Sequence, residues 1–349
     1  MINNIINAAI IGCGVISRKH ATAIRANSDK VNLYAVCDII EEKARKLACT
    51  FGVKNCYTDY KKMLEDDSIN LVCICTPSGM HAEMAVDCAK AGKNVLCEKP
   101  LDVTHEKLDM MIKAFARTSL KLGSIFQYRT YSGIIKAKKM LDSGKLGKVY
   151  YANGYCKVYR GPEYYKKADW RGTWKLDGGG CLMNQAVHAI DILSWLNGDV
   201  ESLKADVFTL ARDIEVEDTA FALLNFKNKS KGFFHATTLC NPGIGNKVEI
   251  QCEKGRIEFV VPSTTLYKFN EKGHILKVPL DDKVILEDNS ANDPIAIKDQ
   301  GHVDLVRNIA DAITNGTQPY ITGQDGRHAV DVILAIYESS RQQKEIKLI

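Results

Sequence analysis

The sequence predicts an α/β protein of two domains, the first of them built on a doubly wound parallel sheet. Apolar strand-like segments alternate with helical segments from Ala8 to the strand Gly123–Gln127, as in a parallel sheet with helices on both faces. Further strand-like segments follow between Ser202 and Phe269. The length of 349 residues also exceeds that of most single domains.

The composition is ordinary for a soluble globular chain, with 46% hydrophobic and 26% charged residues. No apolar run is long enough to span a membrane, and the N-terminus lacks the basic and apolar regions of a signal peptide. We therefore expect a cytoplasmic protein. The formal net charge of +5 is small and scattered, which argues against a nucleic-acid or membrane partner.

Twelve cysteines are present, but their spacing is not that of a disulfide framework or a metal centre. There is no Cys-x-x-Cys pair, and Cys73 and Cys75 lie inside a strand-like run, where a free cysteine acts as a small apolar residue. We expect reduced thiols. No cluster of histidine, cysteine and carboxylate has metal-ligand spacing, so the sequence predicts no metal.

The first strand, Ala8–Ile11, runs directly into Gly12-Cys13-Gly14-Val15-Ile16-Ser17 and then into a helix that reaches about Ala26. The first glycine of such a motif permits a tight turn, and the second lets the backbone approach a pyrophosphate. The third position, here Ser17, must be small so that helix and strand pack closely. Because a strand precedes the motif and a helix follows it, the pattern predicts a dinucleotide-binding turn.

An acidic residue ends the second strand, Asn32–Cys37. Asp38 stands where dinucleotide-binding domains hold ribose hydroxyls. A carboxylate there repels a 2′-phosphate, and no arginine follows at once, so the sequence favours NAD over NADP. The alternative is that Asp38 is the N-cap of the helix Ile39–Phe51.

Two later strands end in residues suited to a ligand site. The apolar run Leu71–Cys75 ends in Thr76-Pro77, and His81 lies near the start of the next helix. The strand Asn94–Cys97 ends in Glu98-Lys99-Pro100. Ligands of open parallel sheets bind at the carboxyl ends of the strands, so Lys99 is a candidate for proton transfer.

The segment Gly178–Asp191 combines three glycines with a helical pattern. Asn184, His188 and Asp191 are spaced i, i+4 and i+7, which places them on one helix face. An amide, an imidazole and a carboxylate that follow a flexible, glycine-rich helix entry favour a functional site. The alternative is a buried structural His188 held by Asp191.

A long aromatic and basic loop, Tyr159–Asp177, precedes this helix. Its aromatic rings could stack on a sugar and its basic groups could hold an anion: Tyr159, Arg160, Tyr164, Tyr165, Lys166, Lys167, Trp170, Arg171 and Trp174. The alternative is a surface loop anchored by buried aromatic residues.

Farther on, Asp281–Asp293 is predicted to be a surface loop, and the lone histidines His302 and His328 are interpreted as structural.

Together these motifs resemble the family named after glucose–fructose oxidoreductase, inositol dehydrogenase and a rhizopine-catabolism protein (Gfo/Idh/MocA). The resemblance rests on Gly12-Cys13-Gly14 with His20, Thr76-Pro77 with His81, Glu98-Lys99-Pro100 and Gly178–Asp191. It implies a Rossmann domain at 1–128 and a substrate-binding and oligomerisation domain at 129–349 with a large open, mostly antiparallel sheet. The last helix, about 326–342, is expected either to cover the second sheet or to pack back toward the first domain, and homodimers or homotetramers through the open sheet are expected.

The resemblance also implies roles for individual residues. Lys99 and His188, the latter with Asp191, are the expected catalytic groups, and Asn184, Arg171 and Tyr159 the expected substrate ligands. Asn184 departs from the aspartate common in inositol dehydrogenase-like members, which removes one candidate proton acceptor. The expected cofactor contacts are Gly12, Gly14, Val15, Ile16, Asp38, Thr76, Pro77, His81, Glu98, Lys99, Gln127, Trp170 and Arg171.

The resulting hypothesis is an NAD-dependent oxidoreductase that moves a hydride between nicotinamide and a secondary alcohol of a sugar, polyol or sugar derivative. Either Lys99 or His188 could be the proton acceptor. Two alternatives stay open at this point: an NAD-dependent glycoside hydrolase that oxidises a sugar transiently, and a non-catalytic NAD-bound sensor.

Overall fold

A computed structural model of the chain describes residues 5–282 and 300–348. Within these ranges the chain divides into two compact units. The first contains the residues up to Gln127 together with the described part of Lys298–Arg327, and the second contains the rest.

The first unit contains a six-stranded sheet in which every pairing is parallel. Its strands are β1 (Ile6–Ile11), β2 (Val31–Cys37), β3 (Asn55–Tyr57), β4 (Leu71–Ile74), β5 (Asn94–Cys97) and β6 (Leu122–Ser124), in the order β3-β2-β1-β4-β5-β6. The order reverses between β1 and β4, and ligands of such sheets bind at the carboxyl ends beside this switch point. The doubly wound parallel sheet predicted from the sequence is confirmed.

The second unit contains a nine-stranded sheet that is antiparallel except for one parallel pair, Val149–Lys157 with Lys231–Thr237. The strands are β7 (Val149–Lys157), β8 (Val200–Phe208), β9 (Thr219–Phe226), β10 (Lys231–Thr237), β11 (Gly245–Cys252), β12 (Gly255–Val260), β13 (Ser263–Phe269), β14 (Ile275–Pro279) and β15 (Ile346–Lys347). Their order is β14-β13-β12-β11-β7-β10-β9-β8-β15. The large, mostly antiparallel sheet expected here is also confirmed.

The helices follow the predicted apolar periodicity closely. They are α1 (Ser17–Ala26), α2 (Glu41–Phe51), α3 (Tyr60–Leu64), α4 (His81–Lys90), α5 (His105–Ala116), α6 (Ser132–Asp142), α7 (Pro162–Lys166), α8 (Val187–Asn197), α9 (Gln300–Asn315) and α10 (Gly323–Gln342). Helix α8 packs against β7 and β11 of the second sheet. None of the helices in the described ranges is long and apolar enough to cross a membrane.

The domain boundary differs from the expected one because the chain returns to the first unit. Helix α9 packs against α1, burying an apolar stripe that includes Leu305 and Ile309. The Asn27 side-chain amide at the end of α1 donates to the Val303 carbonyl at 3.0 Å. The element that joins the first unit is therefore α9 with the start of α10, whereas most of α10 belongs to the second unit, and its expected packing toward the first domain stays a prediction.

The described ranges include all twelve cysteines, and none of them forms a disulfide. Of the expected surface loop Asp281–Asp293, only Asp281 and Asp282 are described, and the rest lies outside the described residues. Asp281 accepts the Thr264 N–H at 2.6 Å, which fixes the chain where β13 begins.

Candidate active site

The glycine-rich turn between β1 and α1 is shaped by the end of β4. Gly12 has φ +89°, and a Cβ atom there would lie 2.7 Å from the Cys75 carbonyl oxygen, so only glycine fits. Gly14 has open space at its Cβ position, Val15 is exposed, and Ile16 caps α1 without a side-chain hydrogen bond. This backbone can approach a phosphate closely, which is what a dinucleotide requires.

Asp38 ties the end of β2 to the glycine-rich turn. Its Oδ2 accepts the Cys13 N–H at 2.8 Å, and its Oδ1 accepts the Ile40 N–H at 2.8 Å. Ile40 occupies the N-cap position of α2, so Asp38 satisfies the entry to that helix without being its cap residue. An acid held here fits NAD, because its charge repels a 2′-phosphate.

The carboxyl ends of β4 and β5 are joined by a buried histidine. Nδ1 of His81 lies 2.8 Å from the Pro100 carbonyl oxygen and Nε2 lies 2.8 Å from the Thr76 carbonyl oxygen. His81 is 1% exposed, while Thr76 and Pro77 are half-buried. Both ring nitrogens of His81 thus face backbone carbonyl groups, and its expected contact with a cofactor stays a prediction.

Glu98 is also turned into the protein, and it meets two histidines that the sequence separates widely. Its Oε1 lies 2.9 Å from Nε2 of His20 and 3.2 Å from Nε2 of His302, and its Oε2 accepts the Lys99 N–H at 3.2 Å. Glu98 is therefore engaged inside the protein, and its expected contact with the cofactor stays a prediction. Lys99 itself is half-buried.

The same three side chains form a grouping that the sequence does not reveal. The ligand atoms of His20, Glu98 and His302 all lie within 4.8 Å of one another, which is compact enough to consider a metal ion. The sequence predicts no such cluster, because its members are 78 and 204 residues apart. Gln127, another expected cofactor residue, is buried against Gly301 at the start of α9.

In the second unit, the glycine-rich entry leads into a π-helical turn, Cys181–Ala186, before α8 begins. A Cβ on Gly180 would lie 1.7 Å from the Glu217 carbonyl oxygen, so the close approach requires glycine. The Glu217 carboxylate accepts the N–H groups of Gly180 and Leu182 at 2.9 Å. Burial raises the pKa of Glu217 to about 7, although these N–H groups favour the charged form.

The π-helical turn positions Asn184 toward the preceding loop. The Asn184 amide donates to Asp177 Oδ1 at 2.7 Å, and Asp177 Oδ2 accepts the Gly172 N–H at 2.9 Å. Asn184 is half-buried, whereas Asp177 is buried. Helical spacing in the sequence does not indicate Asp177 as a partner of Asn184, because a π-helical turn shifts the direction of the side chains that follow it.

His188 and Asp191 lie on the first turns of α8 and are both buried. The His188 ring packs against Tyr128, with ring centroids 4.8 Å apart. Arg129 clamps Asp191 through two bonds, Nε to Oδ2 at 2.9 Å and the terminal nitrogen to Oδ1 at 2.6 Å. Asp191 thus holds a buried arginine, a contact that the helical spacing of Asn184, His188 and Asp191 does not indicate.

The aromatic and basic loop is built around stacked guanidinium groups. The Arg171 guanidinium lies over the Tyr164 ring at 4.1 Å and over the Trp170 ring at 5.5 Å, and it donates to the Tyr164 carbonyl at 2.9 Å. The half-buried Tyr159 lies under the Arg212 guanidinium at 5.6 Å. These stacks order the loop and hold its guanidinium groups in place.

Both halves of the chain match models of one family. Residues 6–126 match the oxidoreductase family with an NAD-binding Rossmann fold, and residues 134–258 match the GFO/IDH/MocA C-terminal domain. The chain belongs to the GFO/IDH/MocA family. The resemblance seen in the sequence is therefore confirmed, and the first unit is the NAD-binding domain of a GFO/IDH/MocA oxidoreductase.

Several known proteins are similar to this chain over most of its length. The WlbA dehydrogenase from Bordetella pertussis, whose structure is in complex with NADH and UDP-GlcNAcA, is 30% identical, with a TM-score of 0.85 and 99% coverage of both chains. A myo-inositol 2-dehydrogenase from Thermotoga maritima is 26% identical, with 97% of each chain covered. A levoglucosan dehydrogenase from Pseudarthrobacter phenanthrenivorans is 26% identical, with 73% of each covered.

Proposed function

We propose that this protein is an NAD-dependent dehydrogenase that oxidises a secondary alcohol of a sugar, a polyol or a sugar derivative. The observation that carries the proposal is the placement of Lys99 two residues after the end of β5, at the carboxyl edge of an NAD-binding sheet. Relatives named inositol, levoglucosan and apiose dehydrogenases support this substrate class. The comparisons give no support to a redox-cycling hydrolase or a sensor.

The proposed chemistry divides between two side chains. Bound NAD supplies the hydride acceptor. His188 accepts the proton of the reacting hydroxyl group, and we assign Asp191 an orienting role that it would exert while paired with Arg129. Lys99 donates a hydrogen bond to the same oxygen and stabilises the negative charge that develops there. The buried setting of His188 supports this role, because it limits competition from water for the imidazole.

The second unit supplies the proposed substrate contacts. We assign contacts with the substrate to Asn184, Arg171 and Tyr159. Trp170 and Arg171 are also proposed to border the cofactor. The stacking of Arg171 on Tyr164 and Trp170 supports this assignment, because it presents a fixed cation beside aromatic faces. Such a surface suits a sugar derivative that carries a negative charge as well as hydroxyl groups.

A substrate panel tests the proposed function. The protein is incubated with NAD and, in turn, with inositols, hexoses, amino sugars, uronic acids and nucleotide sugars, and NADH absorbance is recorded. One of these classes is expected to reduce NAD in repeated turnovers. Cofactor binding without turnover on any class would contradict the proposal and favour a sensor.

The cofactor preference is tested at Asp38. Changing Asp38→Ser removes the carboxylate, so the affinity for NADH is expected to fall about 10- to 100-fold, as for loss of a hydrogen bond to a charged group. The affinity for NADPH is expected to rise. Fluorescence titration with both cofactors measures these changes. Asp59→Ser, which keeps a capping side chain at α3, is the matched control. Unchanged affinities in Asp38→Ser would refute the ribose contact.

We further propose a homodimer or homotetramer formed through the open face of the nine-stranded sheet. Along β9 the residues alternate, with Ala222 and Leu224 buried and Phe221 and Leu223 47% and 67% exposed. An apolar sheet face of this kind is typical of an interface.

The cytoplasmic location expected from the sequence stays a prediction.

A charge on this face is expected to break the assembly. Leu223→Glu is expected to reduce the mass measured by light scattering to that of one chain, because the interface would bury an unpaired carboxylate. Met110→Glu, at an exposed position of α5, is the control and is expected to keep the assembly. A single-chain mass for the unmodified protein would overturn the proposal.

A further inference from the structure

The cluster of His20, Glu98 and His302 lies directly behind Lys99, and its role is not explained by the proposed substrate chemistry. The three residues are 0%, 5% and 1% exposed, and the Glu98 carboxylate is turned toward the two imidazoles. The cluster connects three distant parts of the first unit: α1, the end of β5, and α9. The Glu98 carboxylate lies at its centre, with Oε1 facing the two imidazoles and Oε2 facing the Lys99 N–H.

We propose that His20 and His302 are positioning residues that hold the Glu98 carboxylate and thereby fix the backbone and side chain of Lys99. This inference rests on the proposed function, in which Lys99 bonds the reacting oxygen.

The geometry supports an indirect role through the backbone. Both imidazoles contact Oε1 of Glu98 through Nε2, which leaves Oε2 to accept the Lys99 N–H. On the other side of the turn, His81 holds the Pro100 carbonyl. The residue between Glu98 and Pro100 is thus held on both sides, and the direction in which its side chain leaves the sheet edge is fixed.

The charges in the cluster are compatible with a permanent clamp. Burial alone would lower the pKa of His20, but its contacts with Cys73 and Glu98 outweigh burial and raise the pKa to about 10. Burial would raise the pKa of Glu98, but the two imidazoles hold it well below its usual range. Burial lowers the pKa of His302, despite the nearby carboxylate. One imidazolium, one carboxylate and one neutral imidazole leave the cluster without net charge.

Hydrogen bonding explains the arrangement better than a metal ion does. A metal would draw one atom of each residue toward a common point at about 2.0–2.2 Å. Here each imidazole nitrogen lies at hydrogen-bond distance from the same carboxylate oxygen, at 2.9 and 3.2 Å. The two rings pack edge to face with centroids 5.4 Å apart, which orients both without an ion between them.

A pair of amide substitutions at His302 separates positioning from general packing. The nitrogen of a glutamine side chain reaches about as far as Nε2 of histidine, whereas that of asparagine is shorter and reaches only as far as Nδ1. His302→Gln is therefore expected to keep most of the turnover. His302→Asn is expected to lower kcat by up to about 100-fold, as for a small misplacement of a reacting group, with the NADH affinity unchanged. Leu305→Ala, a buried change on the same helix, is the control for lost packing and is expected to keep kcat.

A double-mutant cycle tests whether His302 acts through Lys99. In a Lys99→Ala background, His302→Asn is expected to cause no further loss of kcat, because the group that it positions is already absent. Equal losses in both backgrounds would overturn the proposal. So would full activity of His302→Asn, or a stoichiometric divalent metal in the purified protein that His302→Asn removes.

Amine labelling gives a result that does not depend on the substrate. The rate at which acetic anhydride acetylates Lys99, measured by mass spectrometry against the other lysines, is expected to change in His302→Asn and to stay near the unmodified rate in His302→Gln. An unchanged Lys99 rate in both variants overturns the positioning role even if a substrate is found. A missing substrate with a changed rate contradicts only the proposed function.

Discussion

Replacing His188 with alanine is expected to lower kcat by about 100- to 10,000-fold on the true substrate, the range of loss of a general base. The imidazole is 5% exposed and packs on Tyr128 at 4.8 Å, so its orientation is fixed before substrate binds. The affinity for NADH is expected to stay unchanged, because the cofactor contacts are proposed mainly in the first unit. Steady-state kinetics and fluorescence titration measure the two quantities.

Two companion variants sharpen this test. His274→Ala removes an exposed histidine in the turn before β14 and is expected to keep full activity. His188→Asn keeps a hydrogen-bonding side chain but cannot accept a proton at neutral pH, so it is expected to be nearly as inactive as His188→Ala. Full turnover by either His188 variant would remove this residue from the mechanism.

Replacing Arg129 with alanine is expected to cost about 3–5 kcal/mol of unfolding free energy, as for breaking a buried ion pair. Arg129 and Asp191 are 4% and 2% exposed and joined by two hydrogen bonds, so the change leaves a carboxylate buried without its clamp. All three tryptophans, Trp170, Trp174 and Trp195, lie in the second unit. Their fluorescence during urea unfolding therefore reports the stability of that unit.

The controls for Arg129 use a surface pair and a paired replacement. Lys136→Ala breaks an exposed contact with Asp282 and is expected to cost less than about 1 kcal/mol. Combining Arg129→Met with Asp191→Leu is expected to recover part of the stability, because no charge is left buried. A loss for Arg129→Ala no larger than that for Lys136→Ala would contradict a buried, energetically important pair.

Local patterns predicted most of the first unit well, because its features are short in sequence. The apolar run at β4 and the glycine turn at Gly12 can each be recognised from a few consecutive residues. The order of elements then predicts the parallel sheet and the edge on which Lys99 stands. In the second unit, the strand-like segments between Ser202 and Phe269 likewise predicted strands of the large sheet.

The sequence did not predict the features that depend on contacts between distant residues. His302 was interpreted as a lone structural histidine, because its partner Glu98 is 204 residues away. The clamp between Arg129 and Asp191 was missed for the same reason. The π-helical turn Cys181–Ala186 was predicted as ordinary helix, since apolar spacing does not record the buried Glu217 that holds its first N–H groups.

Transfer of deuterium tests the central claim most directly. A substrate found in the panel is prepared with deuterium on the carbon that bears the reacting hydroxyl group, and the reduced cofactor is analysed by mass spectrometry. We expect one deuterium in each NADH formed, together with a ketone product, and we expect His188→Ala to slow this transfer. Deuterium retained in the sugar product, or released to water without reduced cofactor, would contradict a dehydrogenase.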